Sequence, residues 1–406
     1  MRGAWWLFLF VLAWPATAGA QAAPATRAEA LDALRAAREQ DLHPEQPGTI
    51  ERALLYVEDH RLIERLNPPQ GVFPIAGNVV RGSGLGLGVG YRRRPAGQRL
   101  LLETTAAWTY RNYRALQITG GLPSLGGRPV GLTAGVRWFD YPQEDFFGLG
   151  RDSAVGDRVS FTLRGRDTFA QVQGRRAGWF VARGRVGVQR FDVAAGRDGR
   201  FPSLEARFDD ATAPGLGDAP TLRYIESSAG VDTRDQPGNT RGGGHYTFTV
   251  GAYRGGAGGA FDFNRTDVKL MQVFPIFDKK RGITLHALAS RIDPVGAARV
   301  PFFLMPTVGG SDSLRGYRDF RFRDAAAVNL NAEYRWEAFS ALDLALFVDA
   351  GDVGPTWRSI VGARLRSSWG LGFRFNTNRR VFLRIDVAGG REGPRIWTSL
   401  SPVFRR

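Results

Sequence analysis

The chain has 406 residues, no cysteine and a formal net charge of +16 at pH 7. Only three of its 55 basic residues are lysines, and its arginines are spread along the chain instead of forming one patch. That distribution argues against a nucleic-acid partner, which needs a clustered basic surface. Arginines that line an aqueous interior or contact anionic lipid headgroups explain the charge better. The absence of cysteine excludes stabilisation by disulfides.

The first twenty residues have the pattern of a secretory signal peptide. Arg2 supplies a positive start, residues 4–14 are all apolar, and Ala18–Ala20 has the small-residue form of a cleavage site before Gln21. The apolar run is too short for a spanning helix, so we expect export and removal of residues 1–20, with an uncleaved anchor as the alternative. No later stretch approaches 18 apolar residues, and we predict no further membrane helix.

Residues 21–71 differ from the rest of the chain and predict a short helical leader. Thr26 and Glu29 have the spacing of a capping box at the start of one helix, and a second helix is expected from Thr49 to Leu66. The segment is too small for an independent domain of ordinary size. We expect it to lie in the periplasm or to plug the interior of the domain that follows, which we place at residues 72–406.

From about residue 72 the pattern has a period of two. In residues 341–350 the even positions from 342 to 348 are leucine or valine, whereas Asp343 and Asp349 are on the other face. In residues 381–388 the odd positions are apolar, whereas Arg384 and Asp386 are on the other face. Such alternation indicates β-strands with one apolar face and one charged face.

Two architectures produce this pattern: a soluble antiparallel sheet with one wet face, or a transmembrane barrel with lipid outside and water inside. The alternating segments follow one another for more than 330 residues without an intervening helix or linker. Most are also longer than the ~5–6 residues of ordinary soluble strands. Lipid tolerates no open sheet edge. We therefore predict an all-β protein, a closed transmembrane antiparallel β-barrel.

We count sixteen strands, or fourteen if residues 98–120 form one strand and the weak first segment is not a strand. Short connections alternate with long ones at 142–157, 192–220 and 293–322. Short periplasmic turns and long outer loops are typical of outer-membrane barrels. The expected segments are 72–80, 83–93, 98–109, 112–120, 128–141, 158–172, 177–191, 221–233, 244–254, 262–275, 281–292, 323–338, 341–350, 363–376, 379–390 and 395–404.

Several motifs resemble those of the BamA/TamA-type outer-membrane assembly barrels, also called the bacterial surface antigen family. GGSDSLRGYRDFRFRD at 309–324 is similar to the arginine-loop signature of that family, and FVDAGD at 347–352 is similar to its F-x-D-x-G strand. GVDTRDQPGNTRGG at 230–243 resembles its D-x-R-D turn, and the resemblance extends over most of 72–404. The motif positions are Gly309, Gly310, Arg315, Gly316, Tyr317, Phe347, Asp349, Gly351, Asp232, Arg234 and Asp235.

The resemblance implies a sixteen-stranded barrel in the outer membrane of a Gram-negative cell. It further implies insertion of other barrels or translocation of polypeptide, a loop that returns into the lumen, and a weak seam between the first and last strands. Outer-membrane lipid, unfolded outer-membrane polypeptides and accessory periplasmic or lipoprotein partners would be its partners. Family members usually carry POTRA domains before the barrel. Residues 21–71 are too few for one, so we expect a short member lacking POTRA domains.

The chemistry of the loop agrees with a place inside the barrel. Arg315 lies between Gly310 and Gly316, where the backbone can turn sharply. A guanidinium matches a carboxylate with two parallel hydrogen bonds. Alternation places Asp349 on the lumen face, with Glu333 on the lumen face of the preceding strand. We therefore predict an Arg315–Asp349 ion pair with Glu333 as a second acceptor; the alternative is a solvated charged loop.

The sequence does not favour an enzyme or a cofactor. Its four histidines are widely spaced, which argues against a metal site. Residues 309–313 fail the G-x-S-x-G pattern of hydrolases, and residues 82–90 are glycine-rich but no Walker lysine follows. Two alternatives to an assembly or translocation function remain: a passive pore or transport channel, and a structural surface antigen on the same scaffold.

Overall fold

The computed structural model describes residues 52, 56, 67–95, 99–256, 258–339, 341–377 and 380–400. The expected signal peptide lies outside these residues. So do the leader helices, apart from Arg52 and Tyr56, which are helical. No helix in the described part of the chain is long and apolar enough to cross a membrane.

Sixteen antiparallel strands form one sheet, and each pairs with its neighbours in chain order. Two further short strands, β12 and β13, form a hairpin in the connection between β11 and β14. A five-residue helix, α1 (Trp357–Val361), follows β15. The strands are β1 (Gly71–Gly77), β2 (Gly86–Arg93), β3 (Leu101–Thr109), β4 (Arg114–Leu122), β5 (Val130–Phe146), β6 (Val159–Arg176), β7 (Phe180–Ala195), β8 (Thr221–Asp232), β9 (Gly243–Arg254), β10 (Phe263–Ile276), β11 (Arg281–Pro294), β12 (Thr307–Val308), β13 (Phe322–Arg323), β14 (Ala326–Phe339), β15 (Leu342–Gly354), β16 (Arg366–Asn376), β17 (Val381–Gly389) and β18 (Arg395–Leu400).

The count of sixteen is confirmed, and the alternative of fourteen is wrong. Residues 98–120 do not form one strand, because the chain turns between β3 and β4 at residues 110–113. At this turn the backbone N–H of Asn112 donates to the carbonyl oxygen of Thr109 at 2.9 Å, and Asn112 has a φ of 63°. Asparagine is among the residues that tolerate this left-handed conformation.

The two faces of the sheet have the polarity of a barrel in lipid. In β15, Asp343 and Asp349 are both 0% exposed, whereas Leu346 is 46% and Val348 is 55% exposed. A soluble sheet would bury the leucines and expose the aspartates. The apolar face is therefore the outer face and the charged face lines the interior, as predicted for a transmembrane barrel.

The connections are long at one end of the barrel and short at the other. The long ones join β5 to β6, β7 to β8 and β11 to β14, as the sequence predicted. A tight turn at the opposite end joins β6 to β7, with Ala177 and Gly178 at φ values of 52° and 76°. Positive φ at both central residues is typical of the hairpin turn that matches strand twist.

The long connections share a small apolar core at their end of the barrel. Phe146 at the end of β5, Leu204 in the β7–β8 connection and Phe302 after β11 are all 0% exposed. The rings of Phe146 and Phe302 lie with their centroids 4.9 Å apart. This apolar cap is packed in the manner of a protein interior, so these loops do not extend freely into solvent.

The first and last strands are the two edges of the sheet. β1 and β18 lie beside each other. Within the described residues, however, no ladder of backbone hydrogen bonds joins them, whereas every other neighbouring pair is joined. The barrel is thus nearly closed, and in the described part of the chain the break in strand pairing lies between these two strands.

Candidate functional site inside the barrel

The connection between β11 and β14 folds back as the β12–β13 hairpin. Val308 pairs with Phe322, and the tip begins at Gly309 and Gly310, which have φ values of 116° and 100°. A Cβ at Gly309 would lie 2.4 Å from the carbonyl oxygen of Arg318, and one at Gly310 would lie 2.0 Å from Oδ1 of Asp319. Only glycine fits both the conformation and the space. The two glycines therefore set the path of the returning arginine loop, residues 309–325.

The loop brings Arg315 to Asp349 of β15. Nη2 of Arg315 lies 2.6 Å from Oδ1 of Asp349, and Nε lies 3.1 Å from Oδ2. The backbone N–H of Arg315 also donates to Oδ2 at 3.1 Å. The side chains are 6% and 0% exposed. This is the two-pronged geometry in which a guanidinium binds a carboxylate most strongly.

Glu333 of β14 is the second acceptor. Nη1 of Arg315 lies 3.1 Å from its Oε2. Asp349 receives two further hydrogen bonds, from Nδ2 of Asn331 at 2.8 Å and from Oγ of Ser368 at 2.9 Å. Both oxygens of the buried Asp349 carboxylate therefore accept hydrogen bonds, which offsets the cost of removing it from water.

Phe347 explains the spacing of the F-x-D motif. Residues two apart on a strand face the same side, so Phe347 and Asp349 both point at the loop. The guanidinium of Arg315 lies over the Phe347 ring, 3.3 Å from its centroid. Gly351, the third motif position, is on the same face, and a Cβ there would lie 2.7 Å from the carbonyl oxygen of Val328. One strand thus provides the ion-pair partner and the stacking surface for Arg315.

The network extends to residues that the sequence prediction did not assign to the site. Arg374 of β16 joins Glu333 at 2.7 Å to Asp386 of β17 at 2.6 Å, and Nε of Arg384 lies 3.0 Å from Asp386. Asp386 and Arg384 were on the charged face of their strand in the alternation pattern, which was the available signal. Their proximity to Glu333 depends on strand register, which the pattern does not give.

The backbone of the loop packs against the last strands. A Cβ at Gly316 would lie 2.7 Å from the carbonyl oxygen of Gly389, so the two chains touch. Nε1 of Trp397 in β18 donates to the carbonyl oxygen of Arg315 at 2.6 Å. Tyr317 is 2% exposed and its ring contacts that of Phe322, with centroids 5.4 Å apart. The R-G-Y triplet thus combines an ion pair, a close backbone approach and an apolar anchor.

The loop also contacts the other edge of the sheet and a neighbouring loop. Arg81, in the β1–β2 connection, lies 3.8 Å from Asp319 and stacks over Phe320 at 4.5 Å. Arg321 binds Glu392 of the β17–β18 connection at 2.5 Å and the carbonyl oxygen of Ser153 at 2.8 Å. The arginine loop therefore touches chain segments on both sides of the discontinuity between β1 and β18.

Asp319 is a loop residue whose acidity is strongly perturbed. Burial raises the pKa of Asp319 to about 7, with Arg81 opposing the increase and Asp312 adding to it. The charged form is unfavourable because a buried carboxylate loses its hydration. Asp319 is therefore a group of this loop that changes charge near neutral pH.

The D-x-R-D motif lies elsewhere, in the β8–β9 turn. Nε of Arg234 lies 2.8 Å from Oδ1 of Asp232, and Nη2 of Arg175 lies 3.0 Å from its Oδ2. Oδ1 of Asp235 accepts the backbone N–H of Arg241 at 3.0 Å. These contacts stabilise the turn, and none of them involves Arg315. Within the described residues, no three His, Cys, Asp or Glu side chains are grouped so that they could hold a metal ion.

A sixteen-stranded antiparallel barrel with an apolar outer face and a charged interior is a transmembrane barrel of the outer-membrane type. Residues 205–390, which include Arg315 and its partners Asp349 and Glu333, match the Omp85 superfamily domain. This match agrees with the resemblance to BamA/TamA-type barrels that the motifs indicated. No curated protein sequence matches this chain.

Two solved structures share the fold. BamA from Haemophilus ducreyi lacking POTRA domains 1–3 is 14% identical over 81% of this chain and 68% of that chain, with a TM-score of 0.58. CdiB from Escherichia coli is 15% identical over 82% of this chain and 61% of that chain, with a TM-score of 0.50. At these identities the similarity establishes the fold and not the activity.

Proposed function

We propose that the barrel aids the insertion or translocation of polypeptide, or of lipid, at the outer membrane. The observation that carries this proposal is the position of the arginine loop. It binds the inner wall through Arg315, Asp349 and Glu333, and it contacts segments on both sides of the β1–β18 discontinuity.

The barrel should open where separating two strands costs the least free energy. Separating two strands that are joined by a ladder breaks many backbone hydrogen bonds in a medium that offers no replacement. Between β1 and β18 the described residues form no such ladder. Opening there is the least costly, and an unpaired strand edge is a template on which another strand can form. Between insertion or translocation events, the contacts of the arginine loop would hold the β1 and β18 edges in place.

The apolar cap at the long-loop end supports the same function over a passive pore. A permanently open channel needs a continuous aqueous path. Phe146, Leu204 and Phe302 are fully buried at this end, so these loops pack against one another, and such packing would oppose an aqueous path. Unfolded outer-membrane polypeptides would be the substrates, delivered by accessory periplasmic or lipoprotein partners.

Depletion of the protein from cells tests the proposal. We expect the levels of other outer-membrane barrels to fall, and re-expression of the wild-type chain to restore them. Re-expression of an Arg315→Ala variant, matched for abundance, should restore them less well. If the other barrels keep their levels while the purified protein conducts steadily in planar bilayers, the protein is a pore and the proposal is wrong. Unchanged levels without conductance would indicate a structural surface antigen and would equally reject it.

A further inference from the structure

A second group of arginines lies on the outer surface of the barrel, near the ends of β4–β7 that join the long loops. Arg114, Asp140, Arg164 and Asp192 are directly opposite one another across the four strands. Leu116, Val172 and Val188 are exposed and lie an even number of positions, two to eight, from the charged residue of the same strand. The charged residues and these apolar residues are therefore on the same face. Because alternate residues share a face, these charges point outward and not into the lumen.

One step closer to the middle of the barrel, two arginines oppose each other. Arg166 of β6 and Arg190 of β7 are cross-strand partners, and both are exposed. Like charges in this position repel and destabilise a sheet. Within the part of the chain that the structure describes, neither forms a salt bridge, and neither does Arg114. The cluster therefore contains guanidinium charge that the protein itself does not neutralise.

The two nearby carboxylates, Asp140 and Asp192, both lie close to the remaining arginine, Arg164. Arg164 lies 3.5 Å from Asp140 and 3.4 Å from Asp192. Four arginines thus face two aspartates on this surface, and the excess positive charge is located at Arg114, Arg166 and Arg190. A single anionic group between Arg166 and Arg190 would remove the repulsion, and phosphate oxygens match the planar donor fork of arginine.

These residues line a groove of about 850 Å³ on the outer wall, which we call the β4–β7 arginine groove. Trp108 and Trp138 also line it, and the guanidinium of Arg166 lies 5.4 Å from the Trp138 ring. Tryptophan is typical of the level where lipid headgroups meet acyl chains. Toward the middle of the barrel the outer face is apolar: exposed side chains there include Ile118, Val186 and Val188.

We infer that the β4–β7 arginine groove binds a lipid that carries phosphate on its headgroup, from the outer leaflet of the membrane. The phosphate would lie between Arg166 and Arg190, with Arg114 adjacent, and the acyl chains would lie on the apolar face below. The long-loop end of an outer-membrane barrel faces the cell exterior, which places the groove at the outer leaflet. A soluble acidic peptide would match the arginines but would leave the tryptophans and the apolar strip uncovered.

The test uses the full-length protein purified in a neutral detergent and incubated with lipid A, a glycolipid with two phosphate groups. Native mass spectrometry then gives the amount of lipid retained per protein. We expect the wild-type protein to retain lipid A, and an R166Q/R190Q variant to retain it on the order of tenfold less. The matched control, R128Q/R176Q, removes the same charge from exposed arginines at the short-turn end and should retain lipid A like the wild type.

A second measurement does not depend on any variant. The wild-type protein is incubated with lipid A from which both phosphates have been removed and, separately, with inorganic phosphate. Retention should need phosphate and acyl chains together, so neither should bind at the groove or displace lipid A at equal concentration. Equal retention of the dephosphorylated lipid, or wild-type retention by R166Q/R190Q, would overturn the inference. It is independent of the proposed function, because a barrel that inserts nothing can still bind lipid.

Discussion

The barrel contains two arginine clusters that differ in how their positive charge is balanced. Inside, Arg315 and Arg374 each contact two or more carboxylates and are almost completely buried. Outside, Arg166 and Arg190 face each other, and neither forms a salt bridge with a carboxylate of the described residues. A charge that is buried in the interior needs its partner within the chain, whereas a charge at the membrane surface can obtain one from the lipid. The comparison predicts large stability effects inside and small ones outside.

The largest effect is expected for Arg315→Ala. The substitution leaves the carboxylate of Asp349 buried without its main partner, which costs about 3–5 kcal/mol for a fully buried pair. Heat-modifiability on gels and urea unfolding in lipid vesicles measure the loss. Arg164→Ala, which removes an outward-facing arginine, is the control and should change stability by less than about 1 kcal/mol. Equal stability of the Arg315 variant and the wild type would reject the anchor.

The next effect is a dependence of loop docking on pH. Because the pKa of Asp319 is raised to about 7 in the folded state, the folded protein binds a proton that the unfolded chain has released. Stability should therefore fall as pH rises from about 4 to 7 and level off above 7. The change between pH 5.5 and 8 would be up to roughly 2 kcal/mol.

Limited proteolysis of the loop at these two pH values measures the Asp319 effect. We expect faster cleavage at pH 8 than at pH 5.5. Asp319→Asn cannot ionise, so its cleavage rate should vary less with pH than that of the wild type. If both proteins show the same pH profile, another group is responsible.

A smaller effect is expected for Phe347→Leu. Leucine keeps most of the apolar contact but removes the aromatic face under Arg315, which is worth about 1–2 kcal/mol in a desolvated site. The Arg315→Ala/Phe347→Leu double variant completes a mutant cycle. Its stability loss should be less than the sum of the two single losses, because both remove the same interaction. Strict additivity would show that the ring does not act through Arg315.

The smallest effect is expected outside, for R166Q/R190Q. In neutral detergent the substitution relieves repulsion between opposed like charges, so stability should stay the same or rise by a few tenths of a kcal/mol. Adding lipid A should stabilise the wild type more than this variant, because only the wild type binds it at the groove. Thermal unfolding followed by circular dichroism measures both. A marked loss of stability in the absence of lipid would mean that the two arginines have a structural partner.

The alternation of apolar and charged residues was sufficient to predict the strands and their two faces. Each strand crosses the same boundary between lipid and water, so its pattern is a local property of the chain. The same logic placed Asp349 and Glu333 inside the barrel. The glycines around Arg315 indicated a sharp turn, because only glycine adopts those conformations freely. Together these signals predicted an Arg315–Asp349 ion pair, and Nη2 of Arg315 lies 2.6 Å from Oδ1 of Asp349.

Which charged residues come into contact depends on strand register and on segments that are distant in the sequence. Asp386 and Arg374 join the network because β16 and β17 place them beside Glu333, and a shift of two residues would separate them without changing the alternation. Asp319 lies 3.8 Å from Arg81, which is more than 200 positions away in the chain. Arg166 and Arg190 oppose each other only through the pairing of β6 with β7. The sequence by itself determined which face each residue occupies, since that follows from period two. Only the folded barrel determined which charges meet.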